Sequence, residues 1–128
     1  MNIQPNANEK AGSPVEKLYD LCMIEMLCHG NKEQVNKMVR VFIDQVPKSV
    51  EEIKTAYSKR DYEVIKKVAH RIKPVLRYYA IIKVEKDMLL IEQWAKEETA
   101  TKELELKIRN LDTVIIKVVE QLKKNFLY

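Results

Sequence analysis

His70 is the side chain in this sequence whose type and setting best suit chemistry near neutral pH. If Ile72 marks the centre of a buried helical face, His70 lies about 160° away and points to solvent. An unperturbed imidazole is about half neutral near neutral pH, and its neutral form is a nucleophile. The outer face around His70 and its flank carry these side chains: Glu63, Lys66, Lys67, Lys73, Pro74 and Arg77.

Four of these neighbours, Lys66, Lys67, Lys73 and Arg77, are basic. A phosphoryl group on the imidazole would add up to about two negative charges, which nearby cations would screen during its transfer. An exposed histidine on a lysine-rich helix is also a common solvated surface residue. The spacing alone therefore leaves both interpretations of this histidine open.

Other kinds of chemistry lack their motifs in this sequence. The chain has two histidines, no HExxH and no Cys and His cluster with metal-ligand spacing, so no metal site is expected. It has no GxxxxGKS/T or GxGxxG loop to bind a nucleotide, and no GxSxG elbow for acyl transfer. The second histidine, His29, precedes Gly30 and is interpreted as a capping or surface residue at a helix end.

Composition narrows the classes of partner and the location. Lysine and arginine number 23 against 19 acidic residues, and the net charge of +4 is too small for a nucleic-acid-binding stripe. No run approaches the roughly 18 apolar residues of a membrane span, and the N-terminus lacks a signal-peptide pattern. We expect a cytoplasmic protein that binds neither nucleic acid nor membrane. The initial Met and polar leader favour a free-standing protein.

The 128 residues fit one all-α domain, because only two Gly and four Pro interrupt long apolar periodicities. We predict a flexible leader over residues 1–13 and a domain over residues 14–128. Five helices are predicted. The first is started by Ser13-Pro14 and ended by Gly30, the second runs from about 31 to 58 with a kink at Pro47, and the third is capped by Asp61. The fourth carries apolar residues from Val84 to Trp94 and ends in Lys-Glu-Glu-Thr, and the fifth runs from about Thr101 to Asn125. Short connections favour an up-and-down antiparallel four-helix bundle with a short extra N-terminal helix.

The apolar faces of these helices predict the core. Cys22 and Cys28 are expected to be buried free thiols, and Trp94 and the methionines are expected to fill the core. Further positions assigned to buried faces include Leu21, Met26, Leu27, Val75, Tyr79, Leu89 and Leu106.

Two stretches of the chain resemble a known family. The segment Ala69-His70-Arg71-Ile72-Lys73-Pro74, followed by Tyr79-Ala80-Ile81, is similar to the signature of histidine-containing phosphotransfer (HPt) domains. The upstream Phe-Ile-Asp-Gln-Val-Pro at 42–47 and the turn at 57–62 also look like this family. The resemblance covers about residues 15–125, essentially the whole predicted folded part.

The resemblance implies that His70 is phosphorylated on Nε2 and exchanges the group with an aspartate of a response-regulator receiver domain. Lys73 would help hold the phosphoryl oxygens. The residues implied in receiver docking and phosphoryl screening are Glu63, Lys66, Lys67, Arg71, Pro74 and Arg77.

The resemblance also implies the partners. HPt domains have no ATP site, so the chain would be a phosphocarrier rather than an enzyme, acting between a hybrid sensor histidine kinase and response regulators. No cofactor is expected, and a Mg²⁺ ion is expected only in the partner receiver domain. The helical bundle is expected to be a monomer.

Three departures from the family pattern keep alternatives open: Pro74 and Ala80 replace glycines, and Val75 replaces a serine. One alternative is a catalytically silent HPt-like module that binds receiver domains without carrying phosphate. Another is an unrelated helical adaptor that uses an apolar groove. A His70 that is buried, or paired with a structural carboxylate, would favour the adaptor.

Overall fold

The computed structural model describes residues 16–99 and 101–126, and within them it contains helices and no strand. The helices are α1 (Cys22–Leu27), α2 (Lys32–Ser58), α3 (Tyr62–Tyr78), α4 (Glu85–Lys96) and α5 (Lys102–Asn125), with a 3-10 turn at Ile82–Val84. The all-α prediction is confirmed for this part of the chain. The predicted leader and the predicted helix start at Ser13-Pro14 lie outside the described residues.

Side-chain caps begin three of the helices where the sequence predicts them. The side chain of Asn31 accepts a hydrogen bond from the backbone N–H of Gln34, and that of Asp61 from Val64. Thr101 caps α5 in the same way. Each cap satisfies a backbone donor that the first turn of a helix leaves unpaired, so the local sequence fixes these boundaries.

The first helix ends as predicted but begins later than predicted. Gly30 adopts φ +74°, and its N–H donates to the carbonyl of Glu25, which closes α1. The prediction that this helix starts at residue 14 is wrong for the described residues 16–21, which are not helical. Backbone donors in this segment form hydrogen bonds to residues far away in the sequence. The N–H of Asp20 donates to the carbonyl of Tyr79 at 2.9 Å, and the N–H of Leu18 donates to Gln121 Oε1 at 2.9 Å.

The four longer helices surround one core. Helix α2 contacts α3 and α5, and α4 contacts the same two helices, while α1 packs against α2. The largest fully buried side chains come from all five helices: Ile24, Phe42, Ile53, Ile65, Met88, Ile91, Leu104, Leu111, Ile115 and Leu122. Buried Asp87 joins α4 to α5 through Asn110 and Lys107.

Several core predictions are wrong. Cys22 is exposed and Cys28 is half-buried, because α1 has only six residues and buries Ile24 alone. The exposed apolar side chains include Met23, Met26, Leu27, Leu89 and Leu106, while Trp94 and Val75 are half-buried. Leu89 lies outside the core because Met88, Ile91 and Ala95 already fill the buried stripe of α4. Within the described residues, no helix combines the length and apolarity that a bilayer crossing needs.

Candidate functional site

The side chain of His70 projects from the middle of α3 and is 75% exposed. The prediction that this imidazole faces solvent is confirmed, because its neighbours Val68, Ala69 and Ile72 take the buried positions of the helix. Its Nδ1 atom lies 2.8 Å from Oε2 of Glu92 on α4. No hydrogen bond from another described residue reaches Nε2. One ring nitrogen is held and the other is open.

Glu92 joins His70 to a second side chain of α3. Its Oε1 accepts a hydrogen bond from Nζ of Lys73 at 2.6 Å, and both of these side chains are less than a quarter exposed. The bond from Lys73 lowers the pKa of Glu92, and His70 adds to this effect, although partial burial opposes it. Glu92 is therefore ionised across the neutral pH range.

The ionised carboxylate sets the tautomer of the imidazole. A carboxylate only accepts hydrogen bonds, so the proton of a neutral His70 ring is on Nδ1. The lone pair is then on Nε2, the nitrogen that faces solvent. This arrangement presents a nucleophile on a rigid helix, oriented by a carboxylate that a lysine holds in turn.

A surface hollow of about 640 Å³ opens beside the His70 ring. Two of the predicted basic neighbours line it, namely Lys66 and Lys67. Lys66 also pairs with Glu63 across 3.4 Å on the same helix. The α4 side chains that complete the hollow are Leu89, Glu92, Gln93 and Lys96.

The other predicted site residues point elsewhere. Arg71 reaches α2, where its guanidinium donates to Glu52 at 2.8 Å and to Ser49 at 3.2 Å. Arg77 lies 3.9 Å from Glu85, near the start of α4. Pro74 is exposed within α3. The structure thus groups Lys66 and Lys67 with His70, places Lys73 on Glu92, and turns Arg71 and Arg77 toward acidic partners.

The α4 residues of the hollow were missed by the sequence analysis. Leu89, Gln93 and Lys96 recur at helical spacing and share a face with Glu92, which is a signal for a common surface. No feature of the sequence indicates that this face adjoins His70, because that depends on how α3 packs on α4. Among the described residues, no group of three Cys, His, Asp or Glu side chains could hold a metal ion.

A second surface feature lies on the other flank of α3. A groove of about 900 Å³ runs between α2 and α3, and its apolar lining includes Met38, Val41, Val75 and Tyr78. Val41 is 58% exposed and Tyr78 is 45% exposed. Arg71, the residue after His70 in the sequence, lines the same groove.

Of the two features that would favour an adaptor, the structure shows one. His70 is paired with a carboxylate, but its ring is exposed rather than buried. The pairing involves Nδ1 and leaves Nε2 open, so it orients the ring without blocking it.

No protein-family model, curated protein or solved structure matches this chain. The resemblance to HPt domains consequently rests on the residues of the chain itself.

Proposed function

We propose that this chain is a histidine phosphotransfer protein, which accepts a phosphoryl group on His70 from a receiver-domain aspartyl phosphate and passes it to another receiver. The observation that carries the proposal is the bond between Nδ1 of His70 and Glu92, together with the 75% exposure of the ring. A nucleophile that serves partner proteins has to be both oriented and open to in-line approach.

The transfer step uses atoms that the site presents. The Nε2 lone pair attacks phosphorus, the bond between phosphorus and the receiver's aspartate oxygen breaks, and the aspartate leaves as a carboxylate. The proton stays on Nδ1, where the negative charge of Glu92 balances the positive charge that develops on the ring. Onward transfer is the reverse of this step with a second receiver, whose aspartate oxygen attacks phosphorus. A Mg²⁺ ion belongs to the receiver in both directions.

The fold supports the same proposal. Helices α2, α3, α4 and α5 contact one another in a ring, and short connections join α2 to α3 and α3 to α4. We take this as an up-and-down antiparallel four-helix bundle with α1 as the short extra helix. Such a bundle would hold His70 on a rigid outer face. We further propose that the chain acts as a monomer in the cytoplasm.

The proposal is tested by phosphoryl transfer from receivers. Purified receiver domains carrying a labelled aspartyl phosphate are mixed with the wild type, with His70→Gln and with His29→Gln, and acid-labile label on the chain is followed. Label is expected on the wild type and on His29→Gln, and none on His70→Gln. The His29 variant is the matched control, since the two histidines are the only ones in the chain. Label that persists on His70→Gln, or no label on the wild type across a panel of receivers, contradicts the proposal.

The α2–α3 groove favours a second candidate, a catalytically silent HPt-like module that docks receivers without carrying phosphate. Exposed apolar side chains in a groove, here Val41 and Tyr78, can bind a partner with no chemistry. The silent module predicts that wild type and His70→Gln bind a receiver equally and that neither takes up label. The same panel of receivers therefore separates the two functions.

A further inference from the structure

Lys67 and Lys96 line the hollow beside His70 from two helices. Lys67 lies three residues before His70 on α3, and Lys96 lies four residues after Glu92 on α4, so each is one helical turn from a member of the bonded pair. Both lysines line the hollow beside the imidazole. No ion pair joins either ammonium group to another described residue.

The cross-contacts of α3 and α4 show on which side these lysines lie. Arg77 meets Glu85, Lys73 meets Glu92, and Lys67 shares the hollow with Lys96. Residue numbers fall along α3 as they rise along α4, so the two helices run in opposite directions at this surface. Lys67 and Lys96 consequently lie together, one turn beyond the His70–Glu92 bond and on the side opposite Lys73.

Lys73 is engaged before any phosphoryl group arrives. Its ammonium lies 2.6 Å from Glu92, and its side chain is only 22% exposed. A phosphoryl group on Nε2 would be carried by the nitrogen that does not contact Glu92. To reach it, Lys73 would have to leave a charge-assisted hydrogen bond and uncover a half-buried carboxylate.

We infer that Lys67 and Lys96 are the cations that bind the phosphoryl oxygens on His70, and that Lys73 is a positioning residue acting through Glu92. This inference rests on the proposed function and extends it. Through Lys96, helix α4 would contact the phosphoryl group directly. It also assigns Lys73 a role different from the one that the family resemblance implies.

The first test needs no partner protein. Phosphoramidate is the donor: its P–N bond breaks, the phosphoryl group forms a new bond to Nε2, and ammonia leaves. The titration of the resulting phosphohistidine is followed by ³¹P NMR in the wild type, in Lys67→Ala/Lys96→Ala and in Lys117→Ala, an exposed lysine on α5. Two nearby cations stabilise the dianion, so the double variant is expected to titrate about half a pH unit higher, roughly a threefold change in acidity.

Lys117→Ala is expected to titrate like the wild type. An unchanged titration in the double variant overturns the phosphoryl-binding role of Lys67 and Lys96. A wild type that phosphoramidate leaves unlabelled at His70, under conditions that label free imidazole, overturns this inference and the nucleophilic role of His70 together. If phosphoramidate labels His70 and no receiver does, the proposed function fails. The ³¹P titration then still tests the role of the two lysines.

The second test isolates the positioning role before phosphorylation. The ¹⁵N shifts of the His70 ring report which nitrogen carries the proton, and they are compared in the wild type, Lys73→Ala, Lys73→Arg and Lys67→Ala/Lys96→Ala. Lys73→Ala is expected to reduce the Nδ1-protonated tautomer, Lys73→Arg to restore it, and the double variant to leave it unchanged. A tautomer balance that Lys73→Ala does not alter overturns the positioning role.

Discussion

His70 and Glu92 are joined by a 2.8 Å contact between Nδ1 and Oε2, which ties an exposed ring on α3 to a half-buried carboxylate on α4. The contact fixes the direction of the imidazole without enclosing it. It also makes Glu92 a shared acceptor, because Lys73 bonds its other oxygen. The charge of one carboxylate thus supports both the stability of the α3–α4 contact and the tautomer of the ring.

Replacing Glu92 by Gln is expected to reduce stability at about pH 7 by about 1–2 kcal/mol, because the charged partner of Lys73 and His70 is lost. Lys73 and His70 lower the pKa of Glu92 in the folded protein. The stabilisation from ionised Glu92 is therefore fully present above the pKa that Glu92 has in the unfolded chain. It is lost as pH falls through the lower pKa that Glu92 has in the folded protein. Urea unfolding of wild type and variant across the acid range measures the difference.

The difference between wild type and Glu92→Gln is expected to shrink toward zero on the acid side of the folded pKa. Glu120→Gln, at an exposed position of α5, is the matched control and should leave the free energy of unfolding nearly unchanged. A Glu92→Gln effect that is the same at acid and neutral pH would contradict the assignment to charge.

Leu104 and Leu106 form a matched pair on α5 for testing the core. Leu104 is fully buried and Leu106 is 49% exposed, although both carry the same side chain two positions apart. Leu104→Ala is expected to cost about 2–5 kcal/mol, because the removed methyl groups leave a cavity. Leu106→Ala is expected to cost less than about 1 kcal/mol, and thermal and urea unfolding of both variants compare them. Equal losses would mean that α5 faces the core differently.

Tyr79 is expected to titrate well above an ordinary tyrosine. Burial, with a smaller effect of Cys28, raises the pKa of Tyr79 to about 12, and its hydroxyl donates to the carbonyl of Met38 at 2.8 Å. Because the pKa of Tyr79 is higher in the folded protein than in the unfolded chain, its contribution to stability is fully present below about pH 10. That contribution is lost as pH rises toward 12. Ultraviolet titration of wild type against Tyr79→Phe isolates this phenol, and a difference signal centred near pH 10 would contradict its burial.

Features encoded by a few adjacent residues could be predicted from the sequence. The caps at Asn31, Asp61 and Thr101 bond backbone groups within three residues, so their identity and place suffice to locate three helix starts. The exposure of His70 follows equally from the apolar spacing of α3. Local chemistry therefore predicted most helix boundaries and the open imidazole.

Features that depend on packing between distant segments could not be predicted. Residues 16–21 have apolar spacing suited to a helix, yet Leu18 and Asp20 bond to Gln121 and Tyr79, which lie far away in sequence. Glu92 is 22 residues from His70, and its role appears only when α4 packs on α3. The α2 partner of Arg71, Glu52, is likewise 19 residues away in sequence. Charged side chains take partners that periodicity does not specify.

The α2–α3 groove provides the last prediction, which concerns receiver docking. Val41 and Leu106 are both exposed apolar residues, but only Val41 lines the groove beside α3. Val41→Asp is expected to weaken receiver binding about tenfold or more, because it places a charge in the apolar contact. Leu106→Asp on α5 should bind like the wild type.

Isothermal titration with an unphosphorylated receiver measures these affinities, and circular dichroism checks that both variants stay folded. Phosphorylation of Val41→Asp by phosphoramidate should match the wild type, since the substitution leaves His70 and Glu92 in place. Equal affinities of Val41→Asp and Leu106→Asp would contradict docking on the α2–α3 groove. A loss confined to Val41→Asp would show that the receiver covers α2 as it reaches the imidazole.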